Sequence, residues 1–308
     1  MTIILNNQKY ETVNPFILFI FFIVSVIVAL PLRVFQLMTN IQPDTGFWVN
    51  AAHFSIPILY AVLALGTVLP ILVSLLHKNG LGKTEDQGEK KVVGGVISFL
   101  TAGGLAVNAI TRYSAFSDLY FAYSTTAQST TLMSYLSKSG ATAMGLEAFF
   151  AVVSAIFFIM LAIALLTGKD PSEYKLLAIM PVFWTIFRIM HRFMRKISFL
   201  NVSELFLELL MIVFLMIFFM AYAQVTAKVN AQGLEWKLFA YGLPAALFCL
   251  VCFVPRLVVT ILGHGERIAA DSSIEVVDLT MAAFVLYALV DRSKVFRQAV
   301  RSKKEDAE

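Results

Sequence analysis

Long apolar runs recur along the whole chain, broken by short polar stretches, and they are continuous rather than alternating. A helix needs about 20 apolar residues to cross a hydrocarbon core, whereas a membrane barrel strand would alternate apolar and polar positions. The pattern predicts eight membrane helices, over Pro15–Leu37, Phe54–Leu76, Val92–Ile110, Gly145–Thr167, Tyr174–Ile197, Val202–Gln224, Trp236–Leu262 and Ser273–Val290. The fifth is the least apolar and the eighth is short. The expected fold is an all-α, polytopic transmembrane helical bundle forming one membrane domain. It has a short leading segment over 1–14, the bundle over 15–290 and a basic tail over 291–308. Lys9 is the one basic residue before the first run, and that run is too long for the apolar core of a cleaved signal, so it is expected to stay as a membrane helix.

Composition agrees. The chain is 59% hydrophobic and 14% charged, with a mean hydropathy of +0.79, against about one-quarter charged for a soluble domain. A net charge of +4 and a pI near 9.0 raise the idea of a nucleic-acid ligand. The Lys and Arg excess lies in connections and the tail, where cytoplasmic retention of positive segments explains it. No nucleic-acid partner is expected; the lipid bilayer is. With the N-terminus inside, the inner segments hold fifteen Lys and Arg and the outer ones nine. Both termini are therefore expected in the cytoplasm, with a bacterial plasma membrane as the setting.

Several motifs are tempting and weak. "GLGKT" ends like a phosphate-binding loop, but His77 stands where the first glycine should be and an apolar helix precedes it. "CLVC" puts Cys249 and Cys252 one helical turn apart among Leu, Val and Phe, where cysteine commonly behaves as a small hydrophobe. His53, His77, His191 and His264 show no metal-ligand spacing. No metal and no cofactor are expected. Gly94, Ser98, Ala102 and Ala106 form a small-residue stripe in the third helix, with Asn108 placed to bond across helices. The segment 111–140, rich in Ser, Thr and Tyr, reads as an outer loop with an interfacial helix.

The charges inside apolar segments carry more information. Arg188, His191, Arg192 and Arg195 share one face of the fifth helix. Glu204 suits the third position of the sixth helix, capped by Asn201. Glu208 lies a further turn inside and needs a partner or a cavity. Folding the chain about residues 199–200 sets Arg192 against Glu208 and Arg195 against Glu204 in one register. Asp271, Glu275 and Asp278 share a face near the eighth helix. Glu275 fits a capping box with Ser272, and Asp278 has no such role. Arg188 has no acid in its own hairpin, so it and Asp278 are expected to point into the bundle near His191. Arg33 and Asp44 belong to the same outer end.

A short likeness between RVFQLM (33–38) and RIMHRFM (188–194) raises the idea of two consecutive four-helix halves, although apolar segments resemble one another by chance. Two functions stand level. One is a transporter or permeation-linked protein for a small solute or ion, using Arg188, His191, Arg192, Glu208 and Asp278, with Arg33, Asp44, Glu204 and Glu275 contributing. The other is a non-catalytic sensor, assembly factor or subunit that binds a protein partner or a second copy of itself. A membrane enzyme comes third, because no nucleophile and base stand in a recognisable arrangement.

Overall fold

The computed structural model describes residues 2–5, 8–11, 15–42, 47–76, 90–125, 131–194, 202–228, 234–268 and 274–305. Two short strands, β1 (Thr2–Leu5) and β2 (Gln8–Glu11), pair antiparallel ahead of the helices. Then follow α1 (Pro15–Thr39), α2 (Ser55–Leu76), α3 (Val92–Thr125), the short α4 (Leu132–Lys138), α5 (Ala141–Thr167), α6 (Met180–Met194), α7 (Val202–Thr226), α8 (Glu235–Ile261) and α9 (Val276–Glu305). The chain is an all-α bundle, and among the described residues seven helices are long and apolar enough to cross a membrane. The remaining long helix, α9, carries Asp278, Asp291 and Arg292 along its apolar stretch. Exposed Ile27, Leu65, Leu100 and Ile110 give the outside the apolar character that lipid accepts.

Several boundaries differ from the sequence expectation, α5 for one beginning at Ala141 rather than Gly145. The segment 111–125 is no loop: α3 runs on through it, since it contains neither Gly nor Pro. The basic tail continues α9 as far as Glu305, for the same reason. The fifth predicted helix begins late. Two 3-10 turns, Pro171–Tyr174 and Leu177–Ile179, precede α6, and Pro181 sits in its first turn, where its missing N–H costs nothing. Gly168 closes α5 with φ 75° and donates its N–H to the Ala164 carbonyl.

The helices pack in two groups. In one, α1, α2 and α7 lie against α8; in the other, α3 and α6 lie against α5, and α3 also lies against α9. The groups are not separate bodies: α8 packs on α9 as extensively as on α1 or α2, and α6 packs on α7. They are interleaved along the chain, so the idea of two consecutive halves is not what forms. Aromatic rings fill the boundary: Phe219 of α7 lies 6.1 Å from Phe158 of α5 and 6.3 Å from Phe284 of α9. Gly242 lets α8 approach α7 and α9, because a Cβ there would stand 3.0 Å from Phe218 and 3.1 Å from Leu289.

Three of the four residues in the small-residue stripe of α3 face the interior. Gly94, Ser98 and Ala102 are buried, and a Cβ on Gly94 would collide with the Tyr287 hydroxyl. Ala106 is exposed. A repeat of four residues drifts by about 40° per step on a helix of 3.6 residues per turn. The buried face has moved by then to Thr101, Leu105 and Asn108.

Candidate functional site

One end of the bundle gathers ionised side chains. Helices α5, α7 and α9 start there, α1, α6 and α8 finish there, and α3 runs through it. Glu147 and Glu208 each lie six residues beyond the start of α5 and α7, and Arg33 and Arg188 six before the end of α1 and α6. At 1.5 Å per residue each is about 9 Å from its helix end. At that depth a charge needs a partner or water.

Within the α1/α2/α7/α8 group, Glu204 is the hub. One of its oxygens accepts from Arg33 and the other from Arg256. Arg256 also reaches Glu208 at 2.7 Å. Arg33 donates to Gln36 at 3.0 Å, and Gln36 donates to the Ser55 carbonyl at 2.8 Å, which ties in the head of α2. The Arg33 guanidinium stands 6.0 Å from the Trp48 ring centroid.

Within the α3/α5/α6/α9 group, Glu275 at the head of α9 takes Arg112 on one oxygen and Arg188 on the other, the latter at 2.7 Å. Arg188 also meets Asp278 at 2.8 Å. Arg112 Nε donates to Glu147 Oε1 at 3.0 Å, and Glu147 Oε2 lies 2.7 Å from His191 Nδ1. Trp184 Nε1 donates to Asn108 at 3.1 Å, and Asn108 donates to Glu275 at 3.3 Å. The Trp184 ring also faces the Arg188 guanidinium at 5.3 Å.

The ion pair Arg192–Glu208 joins the two groups at this end, α6 to α7. Five arginines (33, 112, 188, 192, 256) and five carboxylates (147, 204, 208, 275, 278) make up the network among the described residues. Each group is balanced by itself when His191 is neutral. Arg33 and Arg256 match Glu204 and Glu208; Arg112, Arg188 and Arg192 match Glu147, Glu275 and Asp278. Cys249 and Cys252 of α8 are both free and buried. Among the described residues no three His, Cys, Asp or Glu side chains come together as a metal-ligand set.

The hairpin register brings Arg192 to Glu208, and Arg188 meets Asp278. Glu204 sits at the third position of α7, and its two oxygens accept from the Arg33 and Arg256 guanidinium groups. Glu275 precedes α9 and holds Arg112 and Arg188, and its expected capping partner Ser272 lies outside the described residues. Asp44, Arg195, Asn201, Asp271, Ser272 and the "GLGKT" loop lie outside the described residues. Sequence reasoning overlooked Glu147, Arg112 and Arg256. The signal existed for the first: Glu147 is the one charged residue of α5 and is 0% exposed. Compared with known protein families, curated proteins and solved structures, the chain matches none.

Proposed function

We propose that the chain is a transporter or permeation-linked protein for a small solute or ion, and that its buried ion-pair network is the closed side of a path between the two helix groups. One observation carries this reading. Ten ionised side chains pair at one end of the bundle, supplied by seven helices and the residue before α9, and four of them, Arg33, Glu147, Arg188 and Glu208, lie six residues inside their helix ends. Apolar residues of similar volume would hold such helices together as well or better, and ionisable groups at membrane depth mark solute or ion paths by default. The excess of Lys and Arg favours cytoplasmic termini, which puts the network on the outer side.

The full pairing of the five carboxylates favours a second reading, in which the network is a lock and the chain a non-catalytic subunit or sensor in a larger membrane assembly. Reconstitution in proteoliposomes with a screen of small anions, cations and zwitterions separates the two. The transport reading expects flux of at least one solute class, abolished by Arg188→Gln and by Asp278→Asn at near-normal expression. Absence of flux across the screen, with a stoichiometric partner retained on purification, would favour the subunit.

A further inference from the structure

Two buried atoms of α6, Arg188 Nε and His191 Nε2, have no hydrogen-bond partner among the described residues. Arg188 is 2% exposed and His191 1%. The two atoms are complementary. A guanidinium keeps its protons, so Arg188 Nε–H is a donor. His191 Nδ1 lies 2.7 Å from Glu147 Oε2, and an ionised carboxylate only accepts, so Nδ1 carries the ring proton. That leaves Nε2 of the neutral ring as an acceptor. Side chains three apart on a helix are neighbours. One turn of α6 therefore presents a buried donor beside a buried acceptor, and each is costly without a partner.

The rest of each side chain is held in place. Arg188 Nη2 donates to Glu275 at 2.7 Å, and Nη1 meets Asp278 at 2.8 Å. The Trp184 ring faces the same guanidinium at 5.3 Å, and Arg112 holds the other oxygen of Glu147. The arginines and carboxylates of the α3/α5/α6/α9 group balance one another with His191 neutral. An anion or a cation bound here would be an uncompensated buried charge. A hydroxyl group adds no charge. Its oxygen accepts from Arg188 Nε–H, and its proton is donated to His191 Nε2. We propose that Arg188 Nε and His191 Nε2 bind the hydroxyl group of a neutral molecule, and that the solute of this chain is neutral and hydroxylic rather than an ion. Water and a small polyol such as glycerol share that chemistry. The solute class rests on the transporter reading; the hydroxyl site does not.

Imidazole nitrogen NMR of the full chain in lipid bilayers, with histidine labelled by nitrogen-15, tests the site. The chain has four histidines, and the His191 signal is the one lost in His191→Phe. Magnetisation from water protons should reach Nε2 in the absence of glycerol, and glycerol labelled with carbon-13 should dephase the same nitrogen when it is added. Arg188→Lys keeps the positive charge but puts a methylene where Nε stands, so both contacts should weaken. Contact with water and none with glycerol would support the site and assign its hydroxyl to water. Contact with neither would overturn the site. Stopped-flow light scattering of proteoliposomes tests the solute class. Compared with protein-free vesicles, the chain should speed shrinkage in a sucrose gradient if water passes, or reswelling in a glycerol gradient if a polyol passes. Arg188→Lys should abolish the gain. Flux of an ion, with no gain for water or glycerol, would overturn the class and leave the transporter reading intact. A hydroxyl contact at Nε2 without flux of any solute would support the site and defeat that reading.

Discussion

Removing Arg192 or Glu208 should have unequal effects, because their partners differ. Arg192→Ala leaves Glu208 still held by Arg256. The loss is one charge-assisted hydrogen bond, about 1.5–3 kcal/mol. Glu208→Ala removes the carboxylate seen against Arg192, while Arg256 keeps Glu204. The Arg192 and Glu208 side chains are 10% and 5% exposed, so water screens little, and a stranded buried charge costs about 3–5 kcal/mol. The double variant has no stranded arginine. Its loss should fall short of the sum of the single losses by about 1–3 kcal/mol. Reversible unfolding of the full chain in mixed micelles gives all three values. Losses that add to within about 0.5 kcal/mol would refute the pair as an energetic contact.

Gly242→Val should destabilise by about 1–3 kcal/mol through overpacking against Phe218 and Leu289, read in the same unfolding assay. Cys249 and Cys252 are buried, so a maleimide should label neither in the native chain and both after denaturation. The Asp170 carboxyl, hydrogen-bonded by Lys228, is held below its usual range. Its contribution to stability is therefore present above the ordinary carboxylate value and is lost as pH falls through the depressed one. Lys228 and Asp170 are 63% and 48% exposed, so after screening the pair gives well under about 1 kcal/mol. A Lys228→Met melting curve should nearly overlay the wild type at neutral pH and coincide with it in acid.

The helices were legible because continuous apolar runs have one structural meaning in lipid, and their ends were less so. Nothing in 111–125 breaks a helix, yet its polarity resembles a loop. The contact of Arg192 with Glu208 was legible because it lies inside a hairpin, where a turn fixes the register. The hub at Glu204 was not, since its partners Arg33 and Arg256 lie on helices whose neighbours no local pattern names. Glu204 and Glu275 fitted capping roles on paper. Each also holds two buried guanidinium groups, and an unpaired charge at that depth costs far more than a missing cap. Arg112 stands in a polar stretch with the composition of a loop, so no local pattern ties it to its partner Glu147.

Spin-label distances across the two groups test the proposed movement most directly. Phe35 of α1 and Phe193 of α6 are exposed at the ionic end, 41% and 58%. Leu76 of α2 and Leu176 before α6 are exposed at the other, 77% and 78%. Each pair is replaced by cysteine in a Cys249→Ala, Cys252→Ala background and labelled in bilayers. Arg192→Ala should add a longer-distance population between positions 35 and 193 and a shorter one between 76 and 176. Identical single distributions in wild type and variant at both ends would contradict a path that opens between the two groups.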